Sequence, residues 1–249
     1  DLKNGFVPTC VISTIGTTGT GAIDPVKEIS EITSRYSLWH HVDAAYAGTA
    51  LMLDELDYLR HGLEGADSFV FNPHKWMFVQ FDCTAYYVRD PKLLIRTMSI
   101  SPSYLATVHG DKVRDYRDWG IPLGRRFRAL KLWMTLQLLG TDAIKERIRH
   151  HISLAQKIEQ WIEADNLLEI AYPRSLNIVT FRLKKEIDQD SRLTRLLVSE
   201  INDSGKAYMT HAVVEGRSLV RWVTGQTYVE EKHVIGTWDL IQTILHKII

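Results

Sequence analysis

The 249-residue chain predicts an α/β unit on a mostly parallel sheet, followed by a smaller α+β unit. Three observations lead there. Short apolar, β-branched runs alternate with helical patterns over residues 10–88, a strongly helical stretch follows Gly124, and the remainder mixes strands with amphipathic helices. Strands separated by helical crossovers favour parallel pairing, because parallel neighbours cannot be joined by a tight turn. Residues 10–15 read as a buried strand, broken by the glycine-rich run Gly16-Thr17-Thr18-Gly19-Thr20-Gly21. Asp24 as N-cap and Pro25 in the first turn open a helix on which Val26, Ile29, Ile32 and Thr33 recur at helical spacing. Residues 37–42 form a short strand ending at Asp43, residues 51–63 are irregular or helical, and residues 68–71 form a strand ending at Asn72-Pro73-His74-Lys75-Trp76. A further strand covers residues 84–88. Residues 98–115 are polar and weakly periodic, with Pro102 and Gly110, and a stretch of that kind is a lid or a linker. Phe127, Leu130, Met134 and Leu138 then share one helical face, Gly140 punctuates it, and a second helix runs over residues 141–164. Strands at 177–183, 207–213 and 218–224, a helix at 191–201 and a closing helix bearing Val234, Trp238, Ile241 and Leu245 complete the chain. The two units are expected to divide into residues 1–130 and 131–249.

Composition narrows the function. Hydrophobic residues at 45% and charged residues at 24% suit a packed globular protein. Thirty Lys+Arg balance thirty Asp+Glu, so the chain has no bulk attraction for nucleic acid or an anionic membrane, and neither is expected as a partner. Two cysteines, Cys10 and Cys83, form no disulfide framework, and both read as core residues from their apolar strand contexts. No apolar run reaches the length of a membrane span, and a cytoplasmic location is expected. The chain opens on Asp1 and runs almost directly into a core strand, which suggests either a trimmed or processed chain or a large N-terminal part lying upstream.

Two polar clusters sit where strands end: His40-His41-Val42-Asp43-Ala44-Ala45-Tyr46-Ala47-Gly48 and Asn72-Pro73-His74-Lys75-Trp76. Ligands of open α/β sheets bind outside the carboxyl ends of the strands, so Asp43 and Lys75 are expected to face one crevice. An Asp and a Lys so placed make either a salt bridge at a domain edge or a reactive pair. A pyridoxal phosphate site requires such a pair: a lysine for the Schiff base and an acid that keeps the pyridine nitrogen protonated. Ala44 and Ala45 would let a flat ring approach the backbone, and Gly16-Thr17-Thr18-Gly19 would bring hydroxyls and amides to the same crevice. Other clusters are weaker. The adjacent pairs His40-His41 and His150-His151 lack the i,i+4 spacing of zinc ligands, so no metal is expected. The glycine-rich run lacks the lysine of a nucleotide P-loop. Arg125-Arg126-Phe127-Arg128 suits a solvated helix start or interface ion pairing better than phosphate binding.

His41-Val42-Asp43-Ala44-Ala45-Tyr46-Ala47-Gly48 followed by Asn72-Pro73-His74-Lys75-Trp76 resembles the pyridoxal-phosphate-dependent group II amino acid decarboxylases, most closely those acting on aromatic L-amino acids. The resemblance continues through Phe81-Asp82-Cys83, Asp115-Tyr116-Arg117-Asp118-Trp119 and Ile121-Pro122-Leu123-Gly124-Arg125-Arg126-Phe127-Arg128, and weakens over the last hundred or so residues. It implies the C-terminal half of an aspartate-aminotransferase-like (type I) pyridoxal phosphate domain plus the small α+β C-terminal domain. It further implies Lys75 as the Schiff-base lysine, Asp43 as the partner of the pyridinium nitrogen and Ala45 against one ring face. Thr18 would lie near Asp43 or the substrate carboxylate, and Asn72 and His74 near the cofactor phosphate. Tyr104, in Ser101-Pro102-Ser103-Tyr104-Leu105, takes the place of the loop tyrosine that protonates the substrate carbon once carbon dioxide has left. Gly124 suits a large aromatic substrate, since histidine-specific relatives tend to carry serine there.

The resemblance also implies a partner. The ring-stacking histidine and the main phosphate loop of the family lie upstream of Asp1, so a complete site is expected only with an N-terminal complement, within a two-fold dimer. Two alternatives stand beside decarboxylation. Relatives with phenylalanine at the loop position make aldehydes by oxidative decarboxylation-deamination, and Tyr104 argues against this. A half-chain that is inactive without its complement is the other.

Overall fold

The structure is a computed structural model that describes residues 2–99 and 115–249. Strands β1 (Cys10–Thr14), β2 (Trp39–Asp43), β3 (Ser68–Phe71) and β4 (Ala85–Val88) form one sheet in chain order. The β1/β2 and β2/β3 pairs are parallel and β3/β4 is antiparallel, so the expected mostly parallel sheet is present. Helix α1 (Val26–Arg35) makes the crossover from β1 to β2. Its cap differs from expectation. Pro25 is the N-cap, while the Asp24 carboxylate accepts the Thr14 amide at 2.7 Å and the Asp24 amide donates to the Thr14 carbonyl at 2.9 Å. This reciprocal pair ties the loop back onto β1 and leaves the Asp24 side chain unavailable to the helix. Residues 47–65 wind through 3-10 turns instead of a continuous helix.

Cys83 is buried as expected, but Cys10 is exposed. The strand is right and its surroundings differ: β1 is the edge strand, and its face bearing Cys10 and Ile12 is uncovered, with Ile12 64% exposed. Ser13 and Ile15, on the opposite face, are fully buried.

Two elements escaped the sequence reading at this end: the one-turn helix α2 (Pro73–Trp76) and α3 (Pro91–Met98). Asp90 caps α3 by accepting the Lys92 amide at 2.9 Å. The long helix α4 (Arg128–Ala164) is interrupted at Gly140, whose φ of +73° no β-carbon residue adopts comfortably. The apolar face of its first segment points outward, with Met134 and Leu138 exposed, whereas Leu132 and Leu136 pack inward. Phe127 stands just before the helix as its N-cap.

Beyond α4, β5 (Leu168–Ser175), β6 (Ile178–Leu183), β7 (Thr210–Val214) and β8 (Arg217–Val223) build a second sheet in the order β5-β6-β8-β7, all antiparallel. Strand β5 was not predicted. Register shifts at Ile170, Tyr172 and Ser175 break the two-residue alternation that marks a strand in sequence. Helices α5 (Arg192–Asp203) and α6 (Glu231–Ile248) cover this sheet, with Leu197, Ile201, Ile241 and Leu245 fully buried against Val179 and Phe181. A separate core lies under the first sheet around Val42, Ala44, Leu53 and Trp76. Helix α4 joins the two, giving Ile144 and Ile148 to the first core and Leu154, Ile158 and Ile162 to the second. No helix among the described residues is long and apolar enough to cross a membrane.

Candidate active site

Strand register brings the chemistry together. Thr14 pairs with Asp43 and Asp43 with Val70, so β1, β2 and β3 end side by side at their carboxyl ends. The Ile15 amide donates to the Asp43 carbonyl (2.9 Å), the Ala44 amide to Val70 (2.9 Å) and the Asn72 amide to Ala45 (3.0 Å), which carries the lateral pairing past the strands into the loops. Asp43 is half-buried. Its Oδ1 accepts the Ala45 amide at 2.9 Å, and its Oδ2 has no hydrogen-bond partner among the described residues. Lys75 is exposed on α2, and its Nζ forms no ion pair among the described residues. Asp43 and Lys75 therefore do not satisfy one another in a salt bridge. An unengaged carboxylate oxygen and an unengaged amine, on neighbouring strand ends with Ala44 and Ala45 between, fit a flat group needing an acid on one side and a covalent amine on the other.

The neighbours of Lys75 are firmly held. Asn72 Oδ1 accepts the Thr84 hydroxyl at 3.0 Å. His74 Nδ1 lies 2.7 Å from the Cys83 carbonyl and 3.0 Å from its amide, and its ring meets Phe81 edge-on at 5.0 Å. Trp76 is fully buried, stacked on Tyr46 with centroids 5.3 Å apart, and donates its indole N–H to His151 Nδ1 at 3.0 Å. Tyr46 in turn donates to Asn177 Oδ1 at 2.9 Å, and burial pushes its phenol up to about 12, so it stays protonated.

The glycine-rich loop folds back beside this edge. The Gly16 and Thr17 amides both donate to the Ala22 carbonyl, at 3.0 Å each. Gly16 has φ +86°, and a β-carbon there would lie 2.8 Å from the Ala47 β-carbon, which explains the glycine. Thr18 is exposed on this loop and makes no hydrogen bond among the described residues. Gly124 is exposed, and a β-carbon built there would meet no atom within 4 Å. Tyr104 lies outside the described residues. The arginine run has a simple occupation: Arg126 and Arg128 both bind the Asp82 carboxylate, at 2.5 and 3.0 Å. Among the described residues no group of three or more His, Cys, Asp or Glu is placed to hold a metal ion.

Sequence reasoning missed the bracing residues His151, Asn177 and Thr224. Tyr46 and Asn177 are 131 positions apart, and Trp76 and His151 are 75 apart, so no local spacing advertises them.

The profile described as "Pyridoxal-dependent decarboxylase conserved domain" matches residues 1–184. Phenylacetaldehyde synthase from a Rosa hybrid cultivar is 42% identical, covering 97% of this chain and 50% of its own length. Aromatic-L-amino-acid decarboxylase from Catharanthus roseus is 39% identical over 98% of this chain and 50% of its own. Among solved structures, Oryza sativa TDC with PLP and tryptamine superposes with a TM-score of 0.93 at 36% identity, covering 99% of this chain and 52% of that one. Rhodiola rosea 4-hydroxyphenylacetaldehyde synthase does so with a TM-score of 0.90 at 36% identity, over 99% and 51%. The chain thus spans about half the length of the curated relatives it matches.

Proposed function

Because this chain belongs to the pyridoxal-dependent decarboxylase family and its cofactor is pyridoxal 5′-phosphate, we propose that it forms the lysine-bearing half of an enzyme that decarboxylates an aromatic L-amino acid to its amine. The observation that carries the reading is the pair of unengaged groups, Asp43 Oδ2 and Lys75 Nζ, at adjacent strand ends. Bound pyridoxal phosphate supplies an electron sink for the pair left on the substrate α-carbon when carbon dioxide departs. Lys75 holds the cofactor covalently and is the amine that releases product. Asp43 keeps a proton on the ring nitrogen, and Ala45 leaves room for the ring face. Asn72 and His74 would lie near the phosphate, and Thr18 near Asp43 or the substrate carboxylate. Tyr104 delivers a proton to the α-carbon. Gly124 leaves room for a large aromatic side chain. Residues 1–130 form the cofactor unit and residues 131–249 the small unit.

The site is completed by an N-terminal complement, within a two-fold dimer. Exposed apolar side chains on the first sheet and α4, among them Ile12, Tyr86, Tyr87 and Leu138, support such cover. A second reading, aldehyde synthesis, is favoured by the names of the Rosa and Rhodiola relatives. It consumes one oxygen and one water and yields aldehyde, carbon dioxide, ammonia and peroxide. Tyr104 favours the amine, because a phenol offers an acidic hydrogen where phenylalanine has none. The chain combined with its complement should convert an aromatic L-amino acid to amine without peroxide, and Lys75→Ala should abolish turnover. Aldehyde and peroxide as main products would transfer the assignment to the second reading, and full turnover by Lys75→Ala would overturn both.

A further inference from the structure

Helix α2 is a single turn, and one turn cannot hold its own shape, since nucleation costs more than its few hydrogen bonds return. Its placement must come from its surroundings. On one side of Lys75, His74 is hooked to the Cys83 backbone. On the other, Trp76 is buried, stacked on Tyr46 and hydrogen-bonded to His151, while Lys75 itself points to solvent between these two anchors.

The Trp76 anchor reaches into the C-terminal half of the chain. His151 belongs to α4, and its carbonyl accepts the Thr224 hydroxyl at 2.7 Å, just past β8. Tyr46, the stacking partner, is fixed by Asn177, whose carbonyl accepts the Thr224 amide at 3.1 Å. Asp43 and Lys75 lie three and one residues before Tyr46 and Trp76, so both chemistry-bearing strand ends rest on one cross-braced aromatic pair.

We propose that His151 is a positioning residue for Lys75: its neutral ring, accepting at Nδ1, locks the Trp76 indole and thereby places the turn that carries the cofactor-binding amine. The assignment rests on the reading of Lys75 given above. An indole N–H only donates, so the His151 ring must keep Nδ1 unprotonated, with its hydrogen on Nε2. Its surroundings enforce this. The charged and titratable groups facing it are Arg147 and His150, both on α4; Trp76 and Phe78 pack from the α2 side, with the Phe78 ring edge-on at 5.8 Å. Among the described residues the Gln226 backbone is what favours a charged ring, and Glu230 pairs at 3.7 Å with His150. Burial first, then the His150 and Arg147 charges, push the His151 imidazole down to about 4.

Two substitutions separate anchoring from packing. Asparagine at this position retains an acceptor and loses the titration, whereas leucine fills the space and accepts nothing. The 15N-labelled chain, combined with its unlabelled complement and free of cofactor, gives an indole N–H signal assignable by loss in Trp76→Phe, and the Lys75 amide, bonded to the Asn72 carbonyl at 2.9 Å, reports on the turn. In His151→Leu the Lys75 amide should exchange about tenfold faster than in the parent, while Val179 and Phe181 in the second core keep their protection. His151→Asn should restore the parental rate. As pH falls towards 4 the Trp76 indole signal should shift in the parent and stay put in His151→Asn. Unchanged Lys75 exchange in His151→Leu, or equal acceleration throughout the chain, would overturn the proposal. A cofactor found on another lysine would instead sink the functional reading and leave these rates untouched.

Discussion

Acidification should destabilise this protein chiefly through the buried His151 imidazole, and the size of that effect follows from the structure. His151 is fully buried and keeps its ring uncharged down to about pH 4, whereas in the unfolded chain it takes up a proton near 6.5. Its folded value is the lower one, so the unfolded state binds more protons between these limits. Stability attributable to His151 is therefore complete above about 6.5 and is lost as pH falls towards 4. The full window is worth about 3 kcal/mol, of which about 2.5 kcal/mol is gone by pH 4.5. His40 contributes with the same sign, its pKa lowered by burial against the opposing charge of Asp67. Glu55, held at about 2 chiefly by its hydrogen bond from Arg149, titrates below the window. Both are common to parent and variant and cancel in the comparison. The assay is urea unfolding of parent and His151→Asn at pH 7.5 and 4.5. The parent should lose about 2.5 kcal/mol more than the variant, or about 5–10 °C more in Tm. Equal losses in the two proteins would show that His151 is not held neutral by its surroundings.

Other substitutions test separate parts of the account. Gly48→Ala should cost about 1–3 kcal/mol in urea unfolding, since its new methyl would collide with the Phe71 β-carbon and the 3-10 turn after Tyr46 would have to move. Tyr46→Phe should cost about 1–2 kcal/mol by leaving the buried Asn177 without its phenol donor. That cost should be flat from pH 5 to 9, roughly, because the phenol does not titrate there. Phe181→Ala should cost about 3–5 kcal/mol, as the side chain is fully buried in the second core. Tyr104→Phe, assayed with the complement present, should lower amine and raise aldehyde, ammonia and peroxide together; parental product ratios would make Tyr104 an ordinary loop residue.

The parts of this molecule legible in sequence are those written in local pattern. Cys10–Thr14, Ser68–Phe71 and the Gly140 break could be read because strand alternation and helix punctuation are short-range signals. Asp43 and Lys75 stood out because strand ends collect polar groups at predictable places, and register then brings Asp43 beside Val70, two residues before Asn72. Strand β5 was hidden by its bulges, and the Asp24 cap by a competing bond to Thr14, which depends on how the loop closes. The exposure of Cys10 depends on what covers an edge strand, and an apolar run reads the same whether covered or bare. The Trp76–His151 and Tyr46–Asn177 bonds join positions that only the finished fold brings together.

The central claim, that Lys75 and Asp43 form one cofactor site, is tested most directly by where pyridoxal phosphate attaches. The chain with its complement is incubated with the cofactor, reduced with borohydride and digested, and the modified lysine is found by mass spectrometry. The account predicts a single pyridoxyl group on the peptide containing Asn72-Pro73-His74-Lys75-Trp76, with labelling retained in Asp43→Ala although turnover falls. Modification of a different lysine, or of none, with turnover intact would contradict it.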